Sequence, residues 1–189
     1  MKKIIAAVLG GVVAFVWGMI SWMALPFHNQ TLGGFQSEPV VAAALKAAAP
    51  KSGVYVLPWC EAHDKGLSKE EKKVAFERTQ KEMREGPFAF LVVHPNGVNP
   101  SMGGSMVLGF LKEVMAALII VFLLGGCAKN FSYWQKVFFI TMLPVIGAIL
   151  TAGPNLIWWH FPVGFVALNL LDLVIAWFLA GLVMAKIAK

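Results

Sequence analysis

Lys112 and Glu113 stand side by side in GFLKEVMAAL, residues 109–118, at the head of an otherwise apolar run. Asp172 interrupts a second apolar run, with Asn169 one turn back on the same helical face. An ionised group at the centre of a bilayer costs about 2.5–3.5 kcal/mol on insertion scales, so such residues face the protein interior and find partners. Lys112, Glu113, Asp172 and Asn169 therefore form a candidate intramembrane polar site, with His160 as its nearest neighbour in the loop before the last run. Two kinds of chemistry are open to it, a structural ion pair or a proton relay. Depth favours the pair: Lys112 and Asp172 lie about 12 and 15 Å beyond Gly104 and Pro162 at 1.5 Å per residue. The expectation is that Lys112 and Asp172 face each other and that losing one strands the other, at about 3–5 kcal/mol. Glu113, about 100° round its helix, is left for His160.

Other chemistry is thinly supported. Three of the histidines, His28, His94 and His160, are candidates for one metal site on the outer surface, with His63 the fourth in the chain. No two of them have the spacing of a helix or strand pair, and His28 and His160 sit beside aromatics at the ends of apolar runs. They read as interfacial side chains with wet tips. There is no GxGxxG, Walker loop, HExxH or GxSxG, so no cofactor, no metal and no catalytic residue is expected. Trp22, Trp134, Trp158 and Trp159 flank run ends as an aromatic belt rather than lining a haem or quinone. Cys60 and Cys127 fall in different compartments and read as unpaired thiols, with a bond from Cys60 to another chain as the minor alternative.

The elements that must hold these residues are set by composition. The chain has 189 residues, 58% hydrophobic and only 14% charged, against about 25% charged in soluble domains. Four runs approach the ~20 apolar residues needed to cross a bilayer: Ile4–Phe27, Met106–Ala128, Val137–Ala152 with Trp134 and Gln135 extending it, and Val163–Ala185. The first is too long for a signal-peptide core and reads as an uncleaved anchor. Ala6, Gly10 and Ala14 give it a small-xxx-small stripe. Pro144 with Gly147 should kink the third run. Lys2 and Lys3, Lys129 and Lys136, and Lys186 and Lys189 mark three ends without an accompanying acid, whereas the loop GPNLIWWHFP is uncharged. Lysine-bearing short loops stay inside. The expected location is a bacterial inner membrane, with both termini cytoplasmic and residues 28–105 periplasmic. The net charge of +6 is mostly this topology signal, and no nucleic-acid partner follows from it.

Residues 28–105 read as a small folded α/β module ending in a turn-rich linker. Ser37 caps an alanine-rich helix that Pro50 stops; GVYVLP (53–58) and FAFLVVHP (88–95) read as strands; Ser68 and Glu71 open a helix with a capping box. Two strands with a helix between them fit a βαβ crossover. The expected fold is thus membrane α-helical: a first transmembrane helix (1–27), an extracytoplasmic α/β module (28–105), and transmembrane helices two to four (106–189). Two strands bury little by themselves, so the module should lean on the membrane helices or on a protein partner. The function expected is that of a non-catalytic accessory or interaction subunit, in contact with the bilayer and with a protein partner or a second copy of itself. The alternative is a small transporter or proton-coupled carrier using the intramembrane charges.

Overall fold

A computed structural model describes residues 1–127 and 130–188. In chain order the elements are α1 (Lys2–Met23), α2 (Glu38–Ala48), β1 (Gly53–Leu57), α3 (Lys69–Glu85), β2 (Ala89–Val93), α4 (Met102–Cys127), α5 (Tyr133–Ile157) and α6 (Val163–Ile187). They divide into two compact units, Met1–Gly33 with Pro100–Lys189, and Gly34–Asn99.

The first unit contains four helices, α1, α4, α5 and α6, each long and apolar enough to cross a membrane. Helix α4 begins one turn earlier than the hydropathy pattern alone implies, because Met102, Gly103 and Gly104 join the helix instead of forming linker. Helix α5 runs unbroken through Pro144 and Pro154. Its start is fixed by a capping box in which Ser132 Oγ accepts from the Gln135 amide and Gln135 Oε1 accepts from the Ser132 amide.

Small residues set the closeness of packing. Ala6, Ala7, Gly10, Gly11 and Ala14 are all buried on α1. A Cβ on Gly11 would come within 2.8 Å of Val114 Cα, and one on Gly10 would strike the Met184 side chain. Helix α1 is thereby wedged between α4 and α6, and the expected stripe is the contact surface. The core continues through Ala117, Ile120, Val121 and Leu124 of α4, and Trp177, Ala180 and Met184 of α6, with Val137 and Ile140 of α5 closing the far side.

Neighbouring helices run in opposite directions. Gly11 meets Val114 and Gly109 meets Phe15; the Tyr133 hydroxyl donates to the Leu182 carbonyl and Lys136 Nζ to the Ala188 carbonyl. The starts of α1 and α5 and the ends of α4 and α6 therefore share one end of the unit. Lys2, Lys3, Lys136 and Lys186 all belong to that end; Lys129 and Lys189 lie outside the described residues.

The second unit corrects one expectation. Strands β1 and β2 pair antiparallel, with Gly53 opposite Val93 and Leu57 opposite Ala89, whereas a βαβ crossover demands parallel strands. Antiparallel pairing requires the connection to start and finish at the same end of the pair, where Leu57 faces Ala89. Residues 58–68 travel out, and the 17 residues of α3 return about 25 Å at 1.5 Å each. Arg78 of α3 ties the two legs by a 2.7 Å ion pair to Glu61 on the outward leg. The helix opens with the expected capping box: Ser68 Oγ accepts from the Glu71 amide at 3.3 Å, and Glu71 Oε2 accepts from the Ser68 amide at 2.7 Å. Hydrogen bonding by Ser68 to the Glu71 carboxyl, through its side chain first and its backbone amide second, holds that carboxyl below the usual carboxylate range. Helix α2 has Ser37 at its N-cap position and no buried residue.

Candidate functional site

Asp172 lies in the third turn of α6 and is the point where polar side chains of the helical unit converge. The indole N–H of Trp17 donates to its Oδ1 at 2.7 Å, and the hydroxyl of Ser21 donates to the same oxygen at 2.6 Å. Trp17 and Ser21 are four residues apart, on one face of α1. His28 follows in a short 3-10 turn, His28–Thr31, that folds back over the end of α1. Its Nε2 lies 2.9 Å from Ser21 Oγ and 3.5 Å from Asp172 Oδ2. The imidazole is 2% exposed. Trp22 stacks on it with ring centroids 3.8 Å apart, and Phe27 adds a tilted ring contact at 4.6 Å.

The donor directions are fixed by elimination. The Ser21 hydroxyl gives its one proton to the carboxylate, so it accepts from His28, whose Nε2 carries the proton. Nδ1 of His28 is buried and has no hydrogen-bond partner among the described residues. The geometry thus places the ring's donor at Nε2. It does not fit a nucleophilic triad, in which hydroxyl and carboxylate take opposite ring nitrogens. Here both approach Nε2, and Ser21 is fully buried.

Lys112 does not pair with Asp172. Its Nζ lies 2.8 Å from Glu113 Oε1, and its side chain is 70% exposed while that of Glu113 is 18% exposed. Equal depth places two residues at one level, but rotation about the helix axis decides what they meet. Helix α1 packs against both α4 and α6, and Trp17 and Ser21 from its facing side take up the Asp172 carboxylate. Two side chains 100° apart can still meet each other when one is as long as lysine. The expected interfacial reading of His28 is also overturned: the turn after α1 tucks the ring inward instead of leaving it wet.

A cavity of about 510 Å³ opens beside this cluster between α1, α4 and α6. Lys112, Glu113, Asn169 and Asp172 line it together with Trp17 and Trp22. Asn169 is steadied by its Nδ2, which donates to the Phe165 carbonyl at 2.7 Å. His160, the fifth candidate, lies in the turn between α5 and α6 with a left-handed φ of 55° and is not among the lining residues. Among the described residues no group of three or more His, Cys, Asp and Glu side chains is placed to hold a metal ion.

Trp17, Ser21 and His28 are absent from the set that charge alone selects. One signal for them exists: Ser21 carries the single hydroxyl of the first apolar run and stands one turn from an indole N–H. Comparison with protein-family models, with curated proteins and with solved structures finds no match to this chain.

Proposed function

We propose that the chain is a four-span protein of a bacterial inner membrane and a non-catalytic accessory or interaction subunit. In this reading both termini are cytoplasmic and the Gly34–Asn99 unit lies in the periplasm. The four apolar helices and the shared lysine end of the helical unit support the placement. The observation that carries the interaction role is an apolar surface on the module. Val54 and Val92 are directly opposed across the strand pair, so both side chains project from one face, and they are 60% and 67% exposed. Val40 of α2, an element that buries nothing, is separately 67% exposed. A strand pair this small leaves its apolar face in water unless a protein covers it.

The test is native mass spectrometry of the gently solubilised protein beside a Val54→Glu/Val92→Glu variant. The expected result is a defined complex, with another protein or with a second copy, that the variant loses at unchanged yield. A wild-type chain that is monomeric throughout refutes the role. A proton-coupled carrier is the second reading, favoured by the cavity that gathers Lys112, Glu113, Asn169 and Asp172. Neutralising the three charged residues together abolishes function at normal yield if the carrier reading holds, and leaves it intact if the chain acts by contact alone.

A further inference from the structure

We propose that the cavity between α1, α4 and α6 is a binding site for a lipophilic organic cation, recognised by Asp172 and by the indole faces of Trp17 and Trp22. The inference rests on the helical unit alone, and binding there requires neither a partner on the module nor transport.

Charge comes first. Three ionisable side chains line the cavity, Lys112, Glu113 and Asp172. Lys112 and Glu113 neutralise each other at 2.8 Å. Asp172 is met by two neutral donors, Trp17 and Ser21, and by the His28 ring at the longer distance of 3.5 Å. Both strong hydrogen bonds go to Oδ1. Among the described residues Oδ2 has only the 3.5 Å approach of His28, and the Asp172 side chain is 13% exposed. A carboxylate met by neutral donors in largely apolar surroundings attracts a cation and repels an anion, since little water screens it.

The walls then select what kind of cation. Trp17, Trp22 and Trp177 line the cavity, and an indole face attracts a cation, by about 2 kcal/mol or more when water is excluded. Trp22 is held in place by its stack on His28. Met19, Met23, Met102 and Met106 add to the apolar lining. Methionine side chains are flexible and polarisable, and adapt to ligands of varied outline. A small inorganic cation needs several converging oxygen ligands; here Glu113 is taken up by Lys112, and no group of three or more His, Cys, Asp and Glu among the described residues is placed to hold a metal ion. A bulky cation with delocalised or shielded charge keeps its apolar body on the walls and leaves little water to strip. The volume of about 510 Å³ is that of a small-molecule site.

Tetraphenylphosphonium and tetraphenylborate test this directly, because they share size and shape and differ in the sign of the charge. Binding to the purified full chain in detergent is read by titration calorimetry. The phosphonium is expected to bind at least about tenfold more tightly than the borate, a gap of about 1.4 kcal/mol. Asp172→Asn should remove that preference. Because Asp172 also anchors α1, Gly18→Leu is the second variant: Gly18 lines the cavity, and a Cβ there meets nothing within 4 Å. It should fill the space and weaken phosphonium binding about tenfold or more while the fold and the Asp172 hydrogen bonds persist. Equal binding of the two ions means an apolar cleft filled by any greasy molecule and overturns the proposal. So does phosphonium affinity unchanged in Gly18→Leu, or in a folded Asp172→Asn protein.

Discussion

Replacing Asp172 tests the hydrogen-bonded cluster because two replacements separate its parts. Asp172→Leu removes the acceptor for both Trp17 Nε1 and Ser21 Oγ, at 2.7 and 2.6 Å, and strands a hydroxyl in a site with no exposure. A hydrogen bond to a charged acceptor contributes about 1.5–3 kcal/mol in soluble proteins. Between membrane helices the measured values are smaller, about 0.6 on average and up to about 1.7. Two short bonds to one carboxylate belong at the top of the membrane range, so Asp172→Leu should cost about 3 kcal/mol. Asp172→Asn keeps an oxygen where Oδ1 stands and should cost under about 1 kcal/mol, the loss being confined to charge assistance. Ser21→Ala combined with Asp172→Leu should cost less than the sum of the two single losses, because the serine then has only its His28 bond left to lose. The assay is reversible unfolding of the purified protein in mixed micelles. Asparagine as damaging as leucine, or additive losses in the double variant, would refute the cluster as a cohesive unit.

Lys112→Met should cost no more than about 1 kcal/mol, since an ion pair with a largely exposed lysine contributes little; a loss of several kcal/mol in the same unfolding assay would restore a buried partner. Gly11→Ala should destabilise by about 1–3 kcal/mol, because its Cβ would press on Val114 backbone atoms. Gly18→Ala, with open space around it, should be neutral or stabilising, so equal effects of the two in thermal melts would contradict the wedge. Glu71 has a folded-state pKa below its unfolded value, so its capping contribution is present at neutral pH and is lost as pH falls through the folded value. Amide exchange at the start of α3 should accordingly quicken in acid, and Ser68→Ala, which keeps only the backbone bond to Glu71, should weaken that pH dependence. Reporter fusions at Lys65 and Lys189 should register opposite sides of the membrane; agreement between them would sink the topology.

The long apolar helices were legible because twenty residues of hydrocarbon leave one reading, and the capping box at Ser68 because it is a local pattern of four residues. Depth along a helix was legible as well, and it put Lys112 and Asp172 at one level. Rotation was not. The partner of Asp172 depends on which helix is wedged beside α6, and that is decided by glycines and alanines on α1 whose effect is steric and distant in sequence. The strand direction failed for a related reason. A helix between two strands fits either sense of pairing, and only the outward run of residues 58–68, tied to α3 through Glu61 and Arg78, closes the round trip that antiparallel strands need. His28 was misjudged because polarity next to aromatics suits a wet interface and a buried stack alike; the 3-10 turn decides, and its sequence, HNQT, carries no strong mark of it.

The interaction role is tested most directly by placing a photoreactive amino acid at position 54, or at position 92, in living cells. The same residue at exposed, charged Glu77 of α3 serves as the control. The expected result is one discrete crosslinked protein, another chain or a second copy, from positions 54 and 92 and none from position 77. Absence of any crosslink from the valine pair, or the same products from all three positions, would contradict the account.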